Sequence, residues 1–251
     1  MSKSVQRDGI QLDNGRHDRA KIGYVLLATE QTIEDDVYRL RPGGVGVHFS
    51  RIPIADSITT ESLAAQVDNL ANAAARLLPD GSLDVITYAC TSGSLVLGED
   101  CVFRELKKGA PGAQATSIIT GVIRALRSLG IKSVAIATPY LDEINLREAE
   151  YLEQAGFDVV NIEGLNIERD SDMVRVTPDY IANFAASVDR EEADAVFVSC
   201  GALRTLDVID DLEKRLDKPA ICSNQAMIWD TLRLAGIEDR FNGVGALFRD
   251  F

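Results

Sequence analysis

Cys90, in TYACTSG, and Cys200, in VSCGALR, each follow an apolar run and precede small residues. A thiolate can take a proton from carbon or add to an unsaturated carbon, and a thiol can deliver a proton. Two cysteines brought to one small substrate from opposite faces could therefore run either chemistry. A free thiol ionises only near pH ~8.5 and needs help below that. The amides opening Thr91-Ser92-Gly93 and Gly201-Ala202 can give it by pointing at the sulfur and at a bound carboxylate. Taken singly, either cysteine reads as a small buried apolar residue. Their equivalent placement favours chemistry. Cys101 and Cys222 have no such relation and are assigned to packing.

An internal repeat sets the equivalence. A shift of 110 residues lays Cys90 on Cys200, Asp84 on Asp194 and DVITYAC on DAVFVSC. The same shift carries YVLLATE (24–30) onto VAIATPY (134–140) and HFSRIP (48–53) onto DVVNIE (158–163), pairing Glu30 with Tyr140. Apolar, β-rich runs such as KIGYVLLA, VGVHFSRIPI and LDVITYAC alternate with helical periods, the signature of parallel α/β folding. Leu63, Val67, Leu70, Ala74 and Leu77 predict one helix from Glu61 to Leu78. A second runs from Ser117 to Leu129 and is closed by Gly130. Thr177-Pro178 reads as a helix start, and Ser223 or Asn224 as the cap of a helix ending at Gly236. The expected fold is two pseudo-symmetric α/β lobes, each a short parallel sheet flanked by helices, with strand carboxyl ends facing across a cleft. Such edges collect ligands.

Composition removes other classes. A chain of 251 residues that is 46% hydrophobic can bury a core, as one domain or as two lobes. A formal net charge of −13 disfavours nucleic acid and anionic membrane surfaces as partners, since both demand clustered Lys and Arg. No apolar run approaches the roughly 20 residues of a membrane span, and MSKSVQRDGIQLDNGRHDRAK lacks the apolar core of a signal peptide. A cytoplasmic protein with reduced thiols is expected. With two histidines and no CxxC, a zinc site has almost no ligands. His48 lies in a strand pattern and reads as structural, and His17 is uninformative. RPGGVGVHF is not a dinucleotide fingerprint, no P-loop, GxSxG or HExxH occurs, and DVIDDLEKRLDK reads as a solvated helix face.

IGYVLLATE, ACTSG, ATPYLDEIN and SCGALRT, in this order along the chain, resemble the maleate isomerase and arylmalonate decarboxylase branch of the aspartate/glutamate racemase superfamily, from about Lys21 to Phe251. The resemblance implies a two-lobed enzyme without cofactor or metal, acting on a small carboxylate, as a homodimer or higher homo-oligomer. It makes Cys90 the nucleophile or base, Cys200 the opposing acid/base, and Tyr140 a hydrogen-bond partner of a substrate carboxylate. Thr91, Ser92, Gly201 and Ala202 complete the expected lining. It also implies that the chain returns to the first lobe near its end. The resulting division is a lead-in at 1–20, a first lobe of 21–115 plus 225–251, and a second lobe of 116–224, with the site between lobes. Arylmalonate decarboxylases keep a glycine at the first cysteine position, which this chain does not, so decarboxylation is the weaker expectation.

Two departures bear on the substrate. Where maleate isomerases carry asparagines, this chain has Glu30 and, by ungapped placement, Asp170, with Asn166 or Asp172 as neighbours that could take its place. An amide binds a carboxylate; an anionic side chain repels one and suits a ligand that also carries an ammonium group. The expectation is an isomerase or racemase acting on an amino acid or amino-acid derivative. Alternatives are a maleate cis-trans isomerase proper, an arylmalonate-type decarboxylase and a non-enzymatic two-lobed ligand-binding protein. The superfamily also holds an ectoine-utilisation protein, and the acidic turn makes that branch a candidate.

Overall fold

A computed structural model describes residues 10–13 and 15–251; the rest of the polar lead-in lies outside the described residues. The first half contains β1 (Ala20–Leu27), α1 (Ile33–Arg39), β2 (Val45–Ile52), α2 (Thr60–Ala64), α3 (Val67–Ala75) and β3 (Val85–Tyr88). It continues with α4 (Thr91–Leu97), α5 (Glu99–Gly109), β4 (Gln114–Ser117) and α6 (Ile118–Ser128). The second half repeats the plan with β5 (Ser133–Thr138), α7 (Asp142–Gln154), β6 (Asp158–Gly164), α8 (Asp170–Met173), α9 (Pro178–Val188) and β7 (Ala195–Val198). It closes with α10 (Ile209–Leu216), β8 (Ala220–Cys222), α11 (Ser223–Leu234) and α12 (Ala246–Asp250).

The strands form two parallel four-stranded sheets of the same order, β2-β1-β3-β4 and β6-β5-β7-β8. Both strands that lead to the cysteines, VITY and AVFV, are buried on both faces, as sheets covered by helices on either side require. Among the described residues no helix is long and apolar enough to cross a membrane.

The repeat is real in topology, but its register is not uniform. Ile22 pairs with Val85, and Val134 pairs with Ala195. The cysteine strands therefore follow the shift of 110, while β1 and β5 are related by 112. The segment from first to third strand is two residues longer in the first half, which an ungapped shift cannot register. Glu30 is thus the repeat partner of Asp142, not of Tyr140.

The helix expected over Glu61 to Leu78 is two helices. The chain kinks between α2 and α3, where Ala65 donates to Glu61 and Gln66 to Leu63, and the kink buries Gln66. The helix over Ile118–Ser128 matches expectation, with Ser117 accepting from Thr120 and Gly130 at φ +72°. At α11 the cap is Cys222, whose N–H donates to Gln225, and Ser223 is the first helical residue. Cys222 was expected only to pack. It is buried and also caps this helix.

Although α11 follows the last strand of the second sheet, it packs on the first. The Tyr24 and Thr231 hydroxyls meet at 3.0 Å, Thr116 donates to Asp230 at 2.7 Å, and Gln114 donates to the Leu234 carbonyl at 3.0 Å. Asp230 also accepts from Arg124 of α6 at 2.9 Å. In the lead-in, His17 lies edge-on to His48.

Candidate active site

The carboxyl ends of the two sheets meet around a cavity of about 20 Å³, room for one water. All nine positions named from the sequence line it: Glu30, Cys90, Thr91, Ser92, Tyr140, Asp170, Cys200, Gly201 and Ala202. Asn166 and Asp172 do not. Leu27, Ile58, Ala89 and Met173 supply the apolar remainder. No Lys, Arg or His lines the cavity.

Cys90 lies two residues beyond β3 and caps α4. Its sulfur accepts the Gly93 N–H at 3.3 Å and lies 3.7 Å from the Ser92 hydroxyl. Burial pushes the thiol up to about 11, against the pull of Gly93, Ser92 and the Tyr88 hydroxyl, which faces the sulfur. Cys200 takes φ +97°, a strained setting for a residue with a Cβ. Its sulfur accepts the Ala202 N–H at 3.4 Å. Burial pushes this thiol well up, and the Asp170 carboxylate adds to the rise while the Tyr140 hydroxyl opposes it. The amides thus point at the sulfurs as the sequence suggests. In the closed cavity, however, burial outweighs them at both sulfurs.

The two acids are held differently. Glu30 turns one carboxylate oxygen onto the start of α1, accepting the N–H groups of Thr32 and Ile33 at 2.5 and 2.9 Å. Asp170 accepts the Thr29 hydroxyl from the other half of the molecule. Burial raises both carboxyls above the ordinary range, and Asp170 adds its charge to the burden on Glu30. Tyr140 is set by its own N–H, which donates to the Thr138 hydroxyl at 3.1 Å. Thr91 and Ser92 open α4, so their N–H groups have no acceptor within the helix and are open to a ligand carboxylate.

Two loops, one after β2 and one after β6, close the cavity. Ile58 donates to the Glu168 carbonyl and Asp170 to the Asp56 carbonyl, both at 3.0 Å. The Asp56 carboxylate takes Arg169 at 2.7 Å and both the N–H and hydroxyl of Ser171 at 2.9 and 2.8 Å.

Sequence reasoning missed the residues behind the lining. The Ser223 hydroxyl accepts from both the Cys200 N–H and the Thr91 hydroxyl, and Asn224 donates to the Gly201 carbonyl at 2.9 Å. Glu148 of α7 is fully buried and accepts the Ser199 hydroxyl at 2.6 Å, directly beside Cys200. Ser223 and Asn224 read from the sequence only as a helix start, and Glu148 lies on a helix face without a motif to flag it. Among the described residues no group of three His, Cys, Asp or Glu side chains is arranged to hold a metal.

The family described as arylmalonate decarboxylase matches residues 44–248. The arylmalonate decarboxylase of Bordetella bronchiseptica is 32% identical over 184 residues, covering 72% of this chain and 76% of that protein. The maleate isomerase of Nocardia farcinica is 25% identical over 241 residues, 91% of this chain and 95% of the relative. A mutant of the Nocardia farcinica maleate cis-trans isomerase with a covalently bound succinylcysteine intermediate has the same fold. Its TM-score is 0.84 at 23% identity, covering 92% of this chain and 99% of that one. The two sheets of equal order, the paired cysteine turns and these matches lead to one assignment: the chain belongs to the arylmalonate decarboxylase family, in the maleate isomerase and arylmalonate decarboxylase branch of the aspartate/glutamate racemase superfamily.

Proposed function

We propose that this protein is a cytoplasmic, cofactor-independent isomerase or racemase in which Cys90 and Cys200 act on a small carboxylate from opposite sides. The observation that carries the reading is that both repeat-related cysteines line one enclosed cavity, each sulfur taking a backbone N–H. By the family resemblance Cys90 is the base or nucleophile, and Cys200 is the proton donor. In racemisation the Cys90 thiolate takes the proton from the carbon beside the carboxylate, and the electron pair moves into an enolate-like carboxylate. Thr91 and Ser92 amides and the Tyr140 hydroxyl stabilise that charge, and the Cys200 thiol returns a proton on the opposite face. The sulfurs then exchange roles for the reverse turnover.

The substrate we favour is an amino acid or amino-acid derivative. Glu30 and Asp170 both face the cavity and no basic side chain does, which suits an ammonium group beside the carboxylate. By family precedent the active species is a homodimer or higher homo-oligomer.

Cis-trans isomerisation is the second reading, favoured by the succinylcysteine seen in the Nocardia farcinica relative. There the Cys90 sulfur would add to a double bond, with Cys200 supplying the proton to the adjacent carbon; rotation and elimination then return both. Incubation of candidate acids and amino acids in heavy water, followed by NMR, separates the readings. Deuterium entering beside the carboxylate marks racemase chemistry, and cis to trans conversion marks the other. Undiminished turnover in Cys90→Ser or Cys200→Ser would sink both.

A further inference from the structure

The kink between α2 and α3 has a chemical counterpart. Gln66 is 1% exposed there, and neither atom of its carboxamide has a hydrogen-bond partner. Tyr88, the last residue of β3, is completely buried and its hydroxyl is equally unpartnered. A buried polar group left alone is costly, so three such atoms in one place call for a reason.

They converge on Cys90. A Cβ on Gly93 would lie 2.1 Å from the Tyr88 hydroxyl, 3.0 Å from the Cys90 sulfur and 3.0 Å from the Gln66 carboxamide oxygen. The three groups therefore crowd the first turn of α4, and only glycine at 93 leaves them room. Neither Tyr88 nor Gln66 lines the cavity, so both stand behind the sulfur rather than beside a ligand. The second half has no equivalent: by the pairing of β3 with β1 and of β7 with β5, Val198 occupies the place of Tyr88.

We propose that Tyr88 and Gln66 are positioning residues that turn a hydrogen-bond donor onto Cys90 when its sulfur becomes a thiolate, from behind the cavity rather than from its lining as Tyr140 does for Cys200. With the thiol present, S–H donates to the Tyr88 oxygen and the Tyr88 hydroxyl donates to the Gln66 carbonyl. With the thiolate present, the hydroxyl rotates to the sulfur and the Gln66 amide, turned over, donates to the tyrosine oxygen. No proton leaves either residue. The inference rests on reading Cys90 as the reactive thiol.

The test is the pH profile of Cys90 alkylation by iodoacetamide, followed by mass spectrometry of the Cys90 and Cys200 peptides in the full chain. Tyr88→Phe should slow Cys90 alkylation at neutral pH about tenfold, the change in thiolate fraction expected for one pKa unit, and move its profile upward. The Cys200 profile should stay put, and Gln66→Leu should act in the same direction to a lesser degree. The denaturation midpoint of each variant reports folding; should Tyr88→Phe fail to fold, Gln66→Leu carries the comparison. An unchanged Cys90 profile, equal slowing of both cysteines, or no alkylation of wild-type Cys90 at any pH would overturn the proposal. Loss of turnover in Cys90→Ser alongside an unchanged Tyr88→Phe profile would overturn it while leaving the two-thiol reading standing. Absence of any turnover with a shifted profile would do the reverse.

Discussion

The N–H of Cys200 donates to the hydroxyl of Ser223 at 3.0 Å, and the Thr91 hydroxyl donates to the same oxygen at 3.1 Å. One atom thus ties the turn after Cys90 to the strained backbone of Cys200. Ser223→Ala leaves two buried donors unpaired and should cost on the order of 2–3 kcal/mol, read as a lower urea midpoint. Turnover should fall more than binding, because the Cys200 turn is freed to leave its φ of +97°. A variant as stable and active as wild type would remove Ser223 from this role.

The charge of the cavity decides what enters. Glu30→Gln keeps an oxygen to cap α1, and Asp170→Asn keeps an acceptor for Thr29. The double variant should lose ammonium-bearing substrates by at least about tenfold in kcat/KM, the equivalent of roughly 1.4 kcal/mol, and gain affinity for dicarboxylates. Calorimetric titration with an amino acid and with a diacid, compared with wild type, measures both arms.

Glu148 makes stability depend on pH. Burial raises its carboxyl from the ordinary 4.5 to about 7. Between those values the folded chain holds a proton that the unfolded chain releases, so stability is fully present below about 4.5 and falls as pH rises towards 7. Glu148→Gln keeps an acceptor for Ser199 and removes that titration. Its stability at pH 8 should exceed wild type by up to about 3 kcal/mol, with little difference at pH 4.5. Equal denaturation midpoints at both pH values would exclude this assignment.

Asp56 joins the two loops over the cavity. Hydrogen bonds from Ser171, followed by Arg169, hold its carboxyl down at about 2, so the clasp persists through neutral pH and loosens only in strong acid. Asp56→Ala should let a bulky maleimide reach Cys90 and Cys200 several-fold faster at pH 8, with little change in the denaturant midpoint. Labelling rates that match wild type would show that the loops part elsewhere.

Much of this was legible in the chain. Cys90, Cys200 and their small neighbours sit at strand ends, where alternation of strand and helix already fixes position, and nine of the thirteen lining residues could be named. The shift of 110 failed at β1 because the pairs Ile22–Val85 and Val134–Ala195 are spaced differently along the chain. An apolar stripe cannot announce a kink, so Leu63 to Leu77 read as one helix although Gln66 interrupts it. Residues such as Ser223, Glu148 and Tyr88 owe their importance to neighbours distant in sequence. Their types alone are those of any cap, helix face or strand.

The docking of α11 on the first sheet carries a consequence for how the protein is made. Tyr24, Gln114 and Thr116 belong to the first half of the repeat, yet their partners Thr231, Leu234 and Asp230 follow the last strand of the second half. The first sheet therefore leaves the ribosome with one side uncovered and gains its cover only after the second sheet has been made. A truncation before Ser223 should expose that side to chaperones and aggregation, even though every strand of both sheets would be present.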